Sequence, residues 1–496
     1  MYLEYLEIRS KRRKHKQYWI EYGIITAKRT RKAVIKMMTE KRGMQLKLLD
    51  SKITIEDFVP EGHLLRKIEA AVDFSFIYDE VREYYCADNG RPSTDPVQLI
   101  KYLLIGFLYN INSEREIELE IQGSMPYRWF MGLNLDDRVP DHSTISQNRR
   151  RRFNGTNVYR RLFERILSMC MEKGLVDGKL ILTDSTHIRA NASRRSEIKV
   201  VVEKETSSFM KRLDDYEAAE RDKLEQEGKI KPKKVNKEQD AQPSFIERKI
   251  STTDPDAGFL NRPGKPQGMH YLDHQSVDAK NGIIVDVAVT PGNVTDHIPY
   301  LDRIEYMRED IGLPIEAVGV DSAYDVGIIH QALSDNGIEV FTPKNNEKPL
   351  YKSEFTKQDF KYTEANDEFI CPNNKILKIS HLQRVEGNIS RIYSTKPRDC
   401  KQCLLRDKCL APSQTRRRIY VNIFDSAFQR SHEKDESPEH KQVLDLRQIW
   451  SEGTFAAQKA RHNLSRLYRC GLQAAEEHCL MAAMAINLKR MVKCMG

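Results

Sequence analysis

Apolar residues recur at spacings of three and four through residues 51–175, which is the period of a helix with one buried face. The stretches that begin at His63 and at Pro96 show this period most clearly. Asp95 or Thr94 can cap a helix that begins with Pro96, and Asp141 or Ser143 can cap the helix of the polar run that follows. The pattern predicts an all-α first part of the chain.

After residue 175 the apolar runs shorten to the length of strands. One run ends at Asp184 and a second at Asp321, while Asn281-Gly282 separates two alternating stretches as a hairpin turn would. Because strand and helix patterns alternate here, we predict a mixed α/β core whose sheet is flanked by helices. The other elements predicted in this part are helices over 295–309 and 325–336 and a strand over 339–342.

Two more helices are predicted at 447–469 and 472–492. In the first, Glu452 and Lys459 fall on one side together with Phe455 and Ala456. An acid and a base two turns apart can serve a metal ion and a DNA strand together, although such residues on a helix surface are usually only solvated. The second helix is amphipathic, and it would close the core or support a dimer.

Residues 194–250 interrupt the core with a segment that is dense in Lys and Glu and poor in apolar residues. This composition predicts a charged helix with a disordered link, which includes the basic stretch 229–234. The mixed charges favour a solvated spacer over a DNA-contacting arm, and both remain open.

A second insertion contains Cys371, Cys400, Cys403 and Cys409. A CxxC pair can bind zinc without backbone strain, and a short polar module without an apolar core gains folding energy from the metal. We therefore predict a structural Zn²⁺ site here, with ordinary reduced thiols as the alternative. The remaining cysteines lie in apolar helical context and are predicted to be buried: Cys86, Cys170, Cys470, Cys479 and Cys494.

Positive charge is concentrated in residues 1–50, which hold 14 Lys and Arg against 5 Asp and Glu. The remaining residues balance, with 67 of each sign (81 − 14 and 72 − 5). A basic arm of this kind could neutralise DNA phosphates. A solvated tail, or translation that starts near Met37 or Met44, explains the same charge.

The best apolar segment, Leu99–Ile111, is interrupted by Lys101 and Asn110 and is too short to span a bilayer. The basic start also lacks the apolar run of a signal peptide. We expect no membrane partner and a cytoplasmic location.

Four consecutive arginines follow the polar run after Asp141. Short polar side chains and then arginines suit a helix that is presented to a DNA groove with the arginines on phosphates. We predict DNA contacts by Arg149, Arg150 and Arg152. Since four consecutive arginines point all round a helix, an exposed face explains them about as well.

Several ordered motifs resemble one family. The segments 89–106, 128–133 and 140–146 are similar to the helical amino-terminal domain of insertion-sequence transposases. Asp184, Asp321 and Glu452, separated by 137 and 131 positions (321 − 184 and 452 − 321), resemble the Asp, Asp, Glu triad of bacterial DDE transposases. Each acid alone would be weak evidence for an active site, because an Asp after a strand commonly caps a turn.

The surroundings of the triad also resemble the family. Asp321 stands in a similar Gly-Val-Asp-Ser-Ala-Tyr context, and the helix of Glu452 is similar to the family's Tyr, Arg, Glu, Lys signature, with Lys459 at the family spacing. Two departures stand out. Arg447 lies one residue further from Glu452 than the short form of the signature requires, and Leu444 stands near the place of its Tyr.

The resemblance implies a ribonuclease H-like core after an all-α DNA-binding domain. It implies that Asp184, Asp321 and Glu452 hold Mg²⁺ or Mn²⁺ for cleavage at the element ends and strand transfer into target DNA. Arg447 and Lys459 would bind flanking phosphates. The partners would be terminal inverted repeats and target DNA, bound by a homodimer on the bacterial nucleoid.

Two rival functions remain: an inactive, domesticated DNA-binding protein, and a ribonuclease H-like nuclease without strand transfer. The predicted domain limits are 1–50 for a basic extension, 51–175 for the helical DNA-binding domain, 176–193 and 256–345 for the catalytic core, 194–255 for the charged insertion, 346–414 for the cysteine-rich insertion and 415–496 for the C-terminal helical part of the core.

Overall fold

The computed structural model describes residues 54–86, 93–203, 207–232, 245–262, 264–343, 353–385 and 387–496. The basic segment 1–50 and its predicted phosphate contacts lie outside these residues, as do residues 89–92 of the first motif. The described chain forms two compact units. One lies within residues up to Ile105 and Ser113–Val158, and the other comprises Gly106–Asn112 and Tyr159–Gly496.

The smaller unit is built from helices. Asp95 accepts a hydrogen bond from the amide of Val97 at 2.8 Å, and Asp141 accepts one from the amide of Ser143 at 2.7 Å, so both predicted caps are confirmed. The helices that begin in this unit are α1 (Leu64–Ala71), α2 (Phe76–Val81), α3 (Pro96–Tyr109), α4 (Glu114–Gly123), α5 (Met125–Met131) and α6 (His142–Asn148).

The core of the smaller unit contains a fully buried lysine. Lys101 is 1% exposed, and its Nζ lies 2.5 Å from a carboxylate oxygen of Glu69. The same ammonium lies 4.8 Å and 4.7 Å from the ring centres of Phe74 and Phe130. An ion pair and two aromatic faces together offset the desolvation of the charge. Lys101 therefore belongs to the core of a helical unit.

The larger unit is built on a six-stranded mixed sheet. Strand β1 pairs with β5 antiparallel and with β7 parallel, and β5 also pairs with β4 and β6. The core elements are α7 (Val158–Glu172), β1 (Leu180–Arg189), β4 (Gly258–Leu260), β5 (Gly268–Asp278), β6 (Ile284–Pro291), α9 (Tyr300–Glu309), β7 (Ala317–Gly319), α10 (Gly327–Asp335) and β8 (Glu339–Phe341). The mixed α/β core and the helical first part are both confirmed.

Helix α7 packs in the larger unit, earlier in the chain than the predicted limit at 175. Arg160 of α7 donates to the carbonyl of Val287 in β6 and lies 2.6 Å from Glu476. Tyr306 of α9 donates to Glu164 of α7. These contacts place α7 in the larger unit, which contains the sheet.

The C-terminal helices cover the sheet. Leu182, Phe341 and Val443 form one buried cluster, in which the approach is so close that a Cβ on Gly319 would lie 2.8 Å from both Leu182 and Val443. Asn487, fully buried, exchanges two 2.8 Å hydrogen bonds with the backbone of Ile284. The elements here are α13 (Asp425–His432), α14 (Pro438–Arg447), a π-helical turn (Gln448–Glu452), α15 (Gly453–Arg461) and α16 (Leu472–Cys494).

The two insertions pack on one another. We expected a polar module without a core around the cysteines, whereas the structure has a five-stranded antiparallel sheet there, in the order β13-β12-β11-β10-β9. Its buried residues include Phe369 and Leu377, and Leu224 and Ile230 of the first insertion complete the cluster. The elements are β2 (Glu197–Glu203), α8 (Ser208–Gln226), β3 (Phe245–Ser251), β9 (Lys361–Thr363), β10 (Glu368–Ile370), β11 (Ile376–Val385), β12 (Asn388–Ser394), α11 (Pro397–Lys401), α12 (Arg406–Cys409) and β13 (Arg418–Asn422).

Ion pairs fasten helix α8 to this sheet. Arg391 of β12 lies 2.6 Å from Glu220, and Arg384 of β11 lies 2.5 Å from Asp214. The charged helix predicted for the first insertion is confirmed by α8. The antiparallel pair of β2 and β3 was not predicted.

Several predicted elements differ in their limits. Strand β1 continues for five residues beyond Asp184 because its antiparallel partner β5 continues beside it. The helix predicted over 447–469 is wrong at both ends, since α14 begins at Pro438 and α15 ends at Arg461. The helix predicted over 472–492 and the hairpin at Asn281-Gly282 are confirmed. None of the helices in the described ranges is long and apolar enough to cross a membrane.

Candidate active site

The strand register places Asp184 and Asp321 side by side. In the parallel pair of β1 and β7, Leu182 stands opposite Gly319, and each acid follows two residues later on its own strand. Neighbouring strands lie about 4.8 Å apart. The two acids are 137 positions apart in sequence, as are the paired residues Leu182 and Gly319, so the strand pairing brings them level.

Strand β7 ends before Asp321, so this acid lies just beyond the last paired residues of the strand. The chain leaves the sheet after Gly319, and Asp321 caps a 3₁₀ turn, Ser322–Tyr324, by accepting from the amide of Ala323 at 2.9 Å. Asp184 accepts from the amide of Ser185 at 2.8 Å. One oxygen of each carboxylate is thus held by the backbone, and the other can bind a ligand.

Glu452 joins the pair through Arg447. Nη1 of Arg447 lies 3.2 Å from Asp184, and Nη2 lies 2.7 Å from Glu452. The π-helical turn between them bonds the amide of Gly453 to the carbonyl of Gln448, five residues back. This wider turn puts residues five apart on one side, so it absorbs the extra residue noted in the sequence.

Trp450 fixes the turn in place. A Cβ on Gly282, where φ is +73°, would lie 2.2 Å from the indole ring, so the ring rests directly on the turn between β5 and β6. Arg490 of α16 covers the ring, with its guanidinium 5.2 Å from the ring centre. The position of Glu452 is therefore set by packing that spans three elements.

Burial and mutual repulsion raise the pKa values of two acids in the cluster. Burial raises the pKa of Asp184 to about 6, and repulsion by Asp321 and Glu452 adds to this although Arg447 opposes it. Burial likewise raises the pKa of Asp321, with Asp296 contributing. Raised carboxylate pKa values in a cleft are typical of sites that bind a cation or a proton for function.

Asp296 is a site residue that the sequence did not single out. It is 8% exposed, accepts from the Ser185 hydroxyl at 2.7 Å and lies 3.3 Å from Arg262. Asp296 follows β6 in the turn before α9, so only the fold brings it to Asp184. A signal was present in the paired Asp296-His297 after a strand, but it resembles many turns.

Basic side chains flank the acids. Lys459 donates to the Thr186 hydroxyl at 2.5 Å, and loss of hydration lowers its pKa, with the charge of Lys265 adding to the effect. Arg262 and Lys265 belong to the loop before β5 and were not predicted as site residues. Cations beside a carboxylate cluster can hold the phosphates on either side of a reacting one.

The arginine run differs from its prediction at two positions. Arg149 is 8% exposed and is ion-paired with Glu114 inside the smaller unit, so its predicted contact with DNA would require this ion pair to open. Arg152 lies over the ring of Tyr85, 4.0 Å from its centre, and bonds Asn148. Arg150 and Arg151 are exposed. A π-helical turn, Arg149–Phe153, directs the four side chains apart.

The other acids near the core have structural partners. Asp254 accepts from the Tyr271 hydroxyl at 2.7 Å, Asp278 accepts from the amide of Gly178 at 2.7 Å, and Asp286 pairs with Arg160 and Arg303. Asp256 accepts from the amide of Leu472 at 3.0 Å. Asp273, fully buried, accepts from Gln275 at 2.8 Å, and burial raises its pKa to about 7. The geometry thus keeps these acids outside the candidate active site.

The four insertion cysteines lie near one another without forming a tight group. Burial raises the pKa of Cys409, with contributions from Cys400, Cys371 and Cys403. The metal-ligand groups whose atoms lie within 4.8 Å of one another in the described residues are elsewhere. Among the other cysteines, Cys170 and Cys479 are buried as predicted, whereas the prediction is wrong for Cys86, Cys470 and Cys494, which are exposed at element ends.

Comparisons with known proteins find two family matches in the chain. Residues 53–151 match a family model described as a transposase domain, and residues 370–492 match one described as a transposase DDE domain. The second match contains Arg447, Glu452 and Lys459. No curated protein matches significantly.

A solved structure also aligns with the chain at low similarity. It is described as a cryo-EM structure of a piggyBac transposase synaptic complex with hairpin DNA. The alignment has a TM-score of 0.33 and 9% identity and covers 87% of this chain and 74% of the other. A score that low carries no argument about the fold.

The two family matches place the protein among the transposases, the enzymes that cut and join DNA. Within that class the carboxyl-terminal match is specific. The chain is a DDE transposase.

Proposed function

We propose that Asp184, Asp321 and Glu452 are the catalytic carboxylates of this transposase. The observation that carries the assignment is the register of β1 and β7, which sets two acids level at an open edge of the sheet, with Glu452 joined to them by Arg447. The strand order β6-β5-β1-β7-β8, antiparallel on one side of β1 and parallel on the other, supports a ribonuclease H-like core.

The donor set fits Mg²⁺ or Mn²⁺. Carboxylate oxygens are the ligands these ions prefer, and the pKa of Asp184 is raised to about 6 chiefly by burial, with repulsion from Asp321 and Glu452 adding to it. Arg447 occupies two of the carboxylates as a cation would. When bound, such ions activate a water or a 3′-hydroxyl and stabilise the leaving oxygen.

The chain's own residues would orient the DNA. Lys459, Lys265 and Arg262 surround the acids with positive charge and would hold phosphates on either side of the scissile bond. Arg447 would leave Asp184 or Glu452 when these bind metal, and its guanidinium is then free to bind a phosphate oxygen. Arg447 and Lys459 would therefore both bind DNA phosphates.

The helical unit would recognise the element's terminal inverted repeats. Arg150 is exposed in the π-helical turn that follows α6 and can contact phosphates, while base recognition would fall to the polar residues of that helix. Target DNA is the second substrate. Synapsis of two element ends would require a homodimer, acting in the bacterial cytoplasm at the nucleoid.

A structural zinc ion at Cys371, Cys400, Cys403 and Cys409 remains part of the proposal. The backbone amide of Lys375 donates to the Cys371 sulfur at 3.3 Å, and the side-chain Nδ2 of Asn373 donates to the Cys403 sulfur at 3.3 Å. Donors aimed at sulfur stabilise thiolates, which are the form that binds zinc.

The test is a strand-transfer assay with Mg²⁺ and a labelled duplex that carries the inverted repeat. D184N, D321N and E452Q are compared with D445N, an exposed acid on α14 away from the cluster. Joined products that persist only in D445N and the parent support the triad. Cleavage without joining by the parent would favour the nuclease, and binding without cleavage would favour an inactive binding protein.

A further inference from the structure

A second group of metal-ligand side chains lies four residues beyond Asp321. Asp325 follows the 3₁₀ turn, His330 lies in the first turn of α10, and His432 ends α13. One oxygen of Asp325, Oδ1, lies 2.9 Å from Nε2 of His330 and 3.2 Å from Nε2 of His432. The three candidate ligand atoms all lie within 4.8 Å of one another.

These separations are close to those of ligands around a zinc ion. Bonds of about 2.0–2.1 Å at tetrahedral angles put neighbouring ligand atoms roughly 3.3 Å apart. The two observed separations, 2.9 Å and 3.2 Å, are shorter by a few tenths of an ångström at most. Entry of an ion would therefore need only small rotations of the side chains.

The outer nitrogen of each imidazole is also bound. Nδ1 of His330 lies 2.9 Å from the Ser431 hydroxyl, and Nδ1 of His432 lies 3.0 Å from both oxygens of Asp435. Zinc-binding histidines usually hold their second nitrogen in this way, because the outer partner fixes the ring orientation and makes the inner nitrogen a better ligand. Both rings thus turn Nε2 towards Asp325.

An apolar wall shields the group. The ring of Phe428 lies 4.6 Å from that of His330 and stacks on that of His432 with an interplanar angle of 7°. His330 is fully buried, and the side chain of Asp325 is 7% exposed. Low exposure strengthens binding of a cation to an anionic ligand.

We propose that Asp325, His330 and His432 form a zinc site separate from both the acid cluster and the insertion cysteines. Three protein ligands leave one tetrahedral position for water. The ligands come from segments that flank the five-stranded sheet in sequence, so the ion would fasten the entrance of the insertion to its exit. It would also tie the segment after Asp321 to the one that leads into α14.

The test measures zinc retained by the full-length protein after dialysis from Zn²⁺. D325N and H432Q should each lose about one equivalent relative to the parent. The matched control H381Q, an exposed histidine of β11, should lose none. Circular dichroism checks the fold of each variant, and the parent's melting temperature should fall with chelator more than that of H432Q.

Co²⁺ in place of zinc separates the two candidate sites. Loss of the metal ion from the histidine site should leave any thiolate-to-cobalt absorption from the cysteines unchanged. H432C should retain the metal and add a thiolate band, because Cys is itself a zinc ligand. Equal zinc content in the parent, D325N and H432Q would overturn the proposal and leave a hydrogen-bonded Asp–His network.

Discussion

Two places in the core distribute charge in opposite ways. At the open edge of β1 and β7, three carboxylates share the single guanidinium of Arg447. On β6, the one carboxylate of Asp286 faces two guanidinium groups, from Arg160 and Arg303. Asp286 is 2% exposed and neutralised, so it serves the fold. At the other place, burial and repulsion between the acids raise the pKa values of Asp184 and Asp321, which is typical of sites that bind a cation for function.

The largest expected effect separates activity from stability at the acid cluster. D184N should lower strand transfer by about 10³-fold or more, because it removes a metal ligand from a set that acts as a unit. The free energy of unfolding of the metal-free protein should stay equal or rise, because the substitution relieves repulsion. Urea unfolding in chelator and the joining assay measure the two quantities, and a large loss of stability would contradict the comparison.

The opposite substitution should reverse this pattern. D286N leaves Arg160 and Arg303 without their shared partner, so the free energy of unfolding should fall by about 3 kcal/mol. Below its melting temperature the variant should still join DNA, since Asp286 lies outside the acid cluster. D302N, at an exposed ion pair on α9, is the control and should change stability by less than about 1 kcal/mol. Inactive but stable D286N would contradict the structural role.

A third acid, Asp273, should make the free energy of unfolding depend on pH. Asp273 is buried with a pKa raised to about 7, against about 3.8 when unfolded, so the folded state holds its proton more tightly. The parent should therefore lose stability as pH rises from about 4 to about 7, by roughly 1–4 kcal/mol. D273N should remove that loss. Urea unfolding of both proteins in chelator at pH 5 and pH 8 would show it, and parallel curves would refute the assignment.

The smallest effect concerns the shared guanidinium. R447A should tighten binding of Ca²⁺, a metal probe measured without DNA, by about 3- to 10-fold, because a competing cation leaves the acids. R461A removes an exposed charge from the end of α15 and is the matched control. R447K should fall between them. Weaker Ca²⁺ binding in R447A would mean that Arg447 orders the acids for metal.

The sequence predicted the acid cluster well for a specific physical reason. Asp184 and Asp321 each follow an apolar run in a strand, and the parallel register converts their separation along the chain into adjacency. The position of Arg447 beside Glu452 was harder to predict, because the helical period of 3.6 residues does not reveal the π-helical turn that brings the two level. Asp296 could not be predicted, because its turn reaches Asp184 only through the packing of β6 and α9.

The sheet of the cysteine insertion was missed for a different reason. Leu377, Ile379 and Leu382 of β11 are buried, but a bulge between Ile379 and His381 breaks the alternation that identifies a strand. Its core is also completed by Leu224, about 150 residues earlier in the chain. Neither insertion contains enough apolar residues by itself to predict a core.

That shared core has a consequence for how such a protein can be altered. An ancestor or an engineer that acquired the sheet without helix α8 would expose Phe369 and Leu377, and one that acquired α8 alone would carry Leu224 uncovered. The two segments would therefore have to be deleted or transplanted together, although strands β4 to β8 of the catalytic core lie between them in the chain. A trimmed enzyme would have to lose both at once.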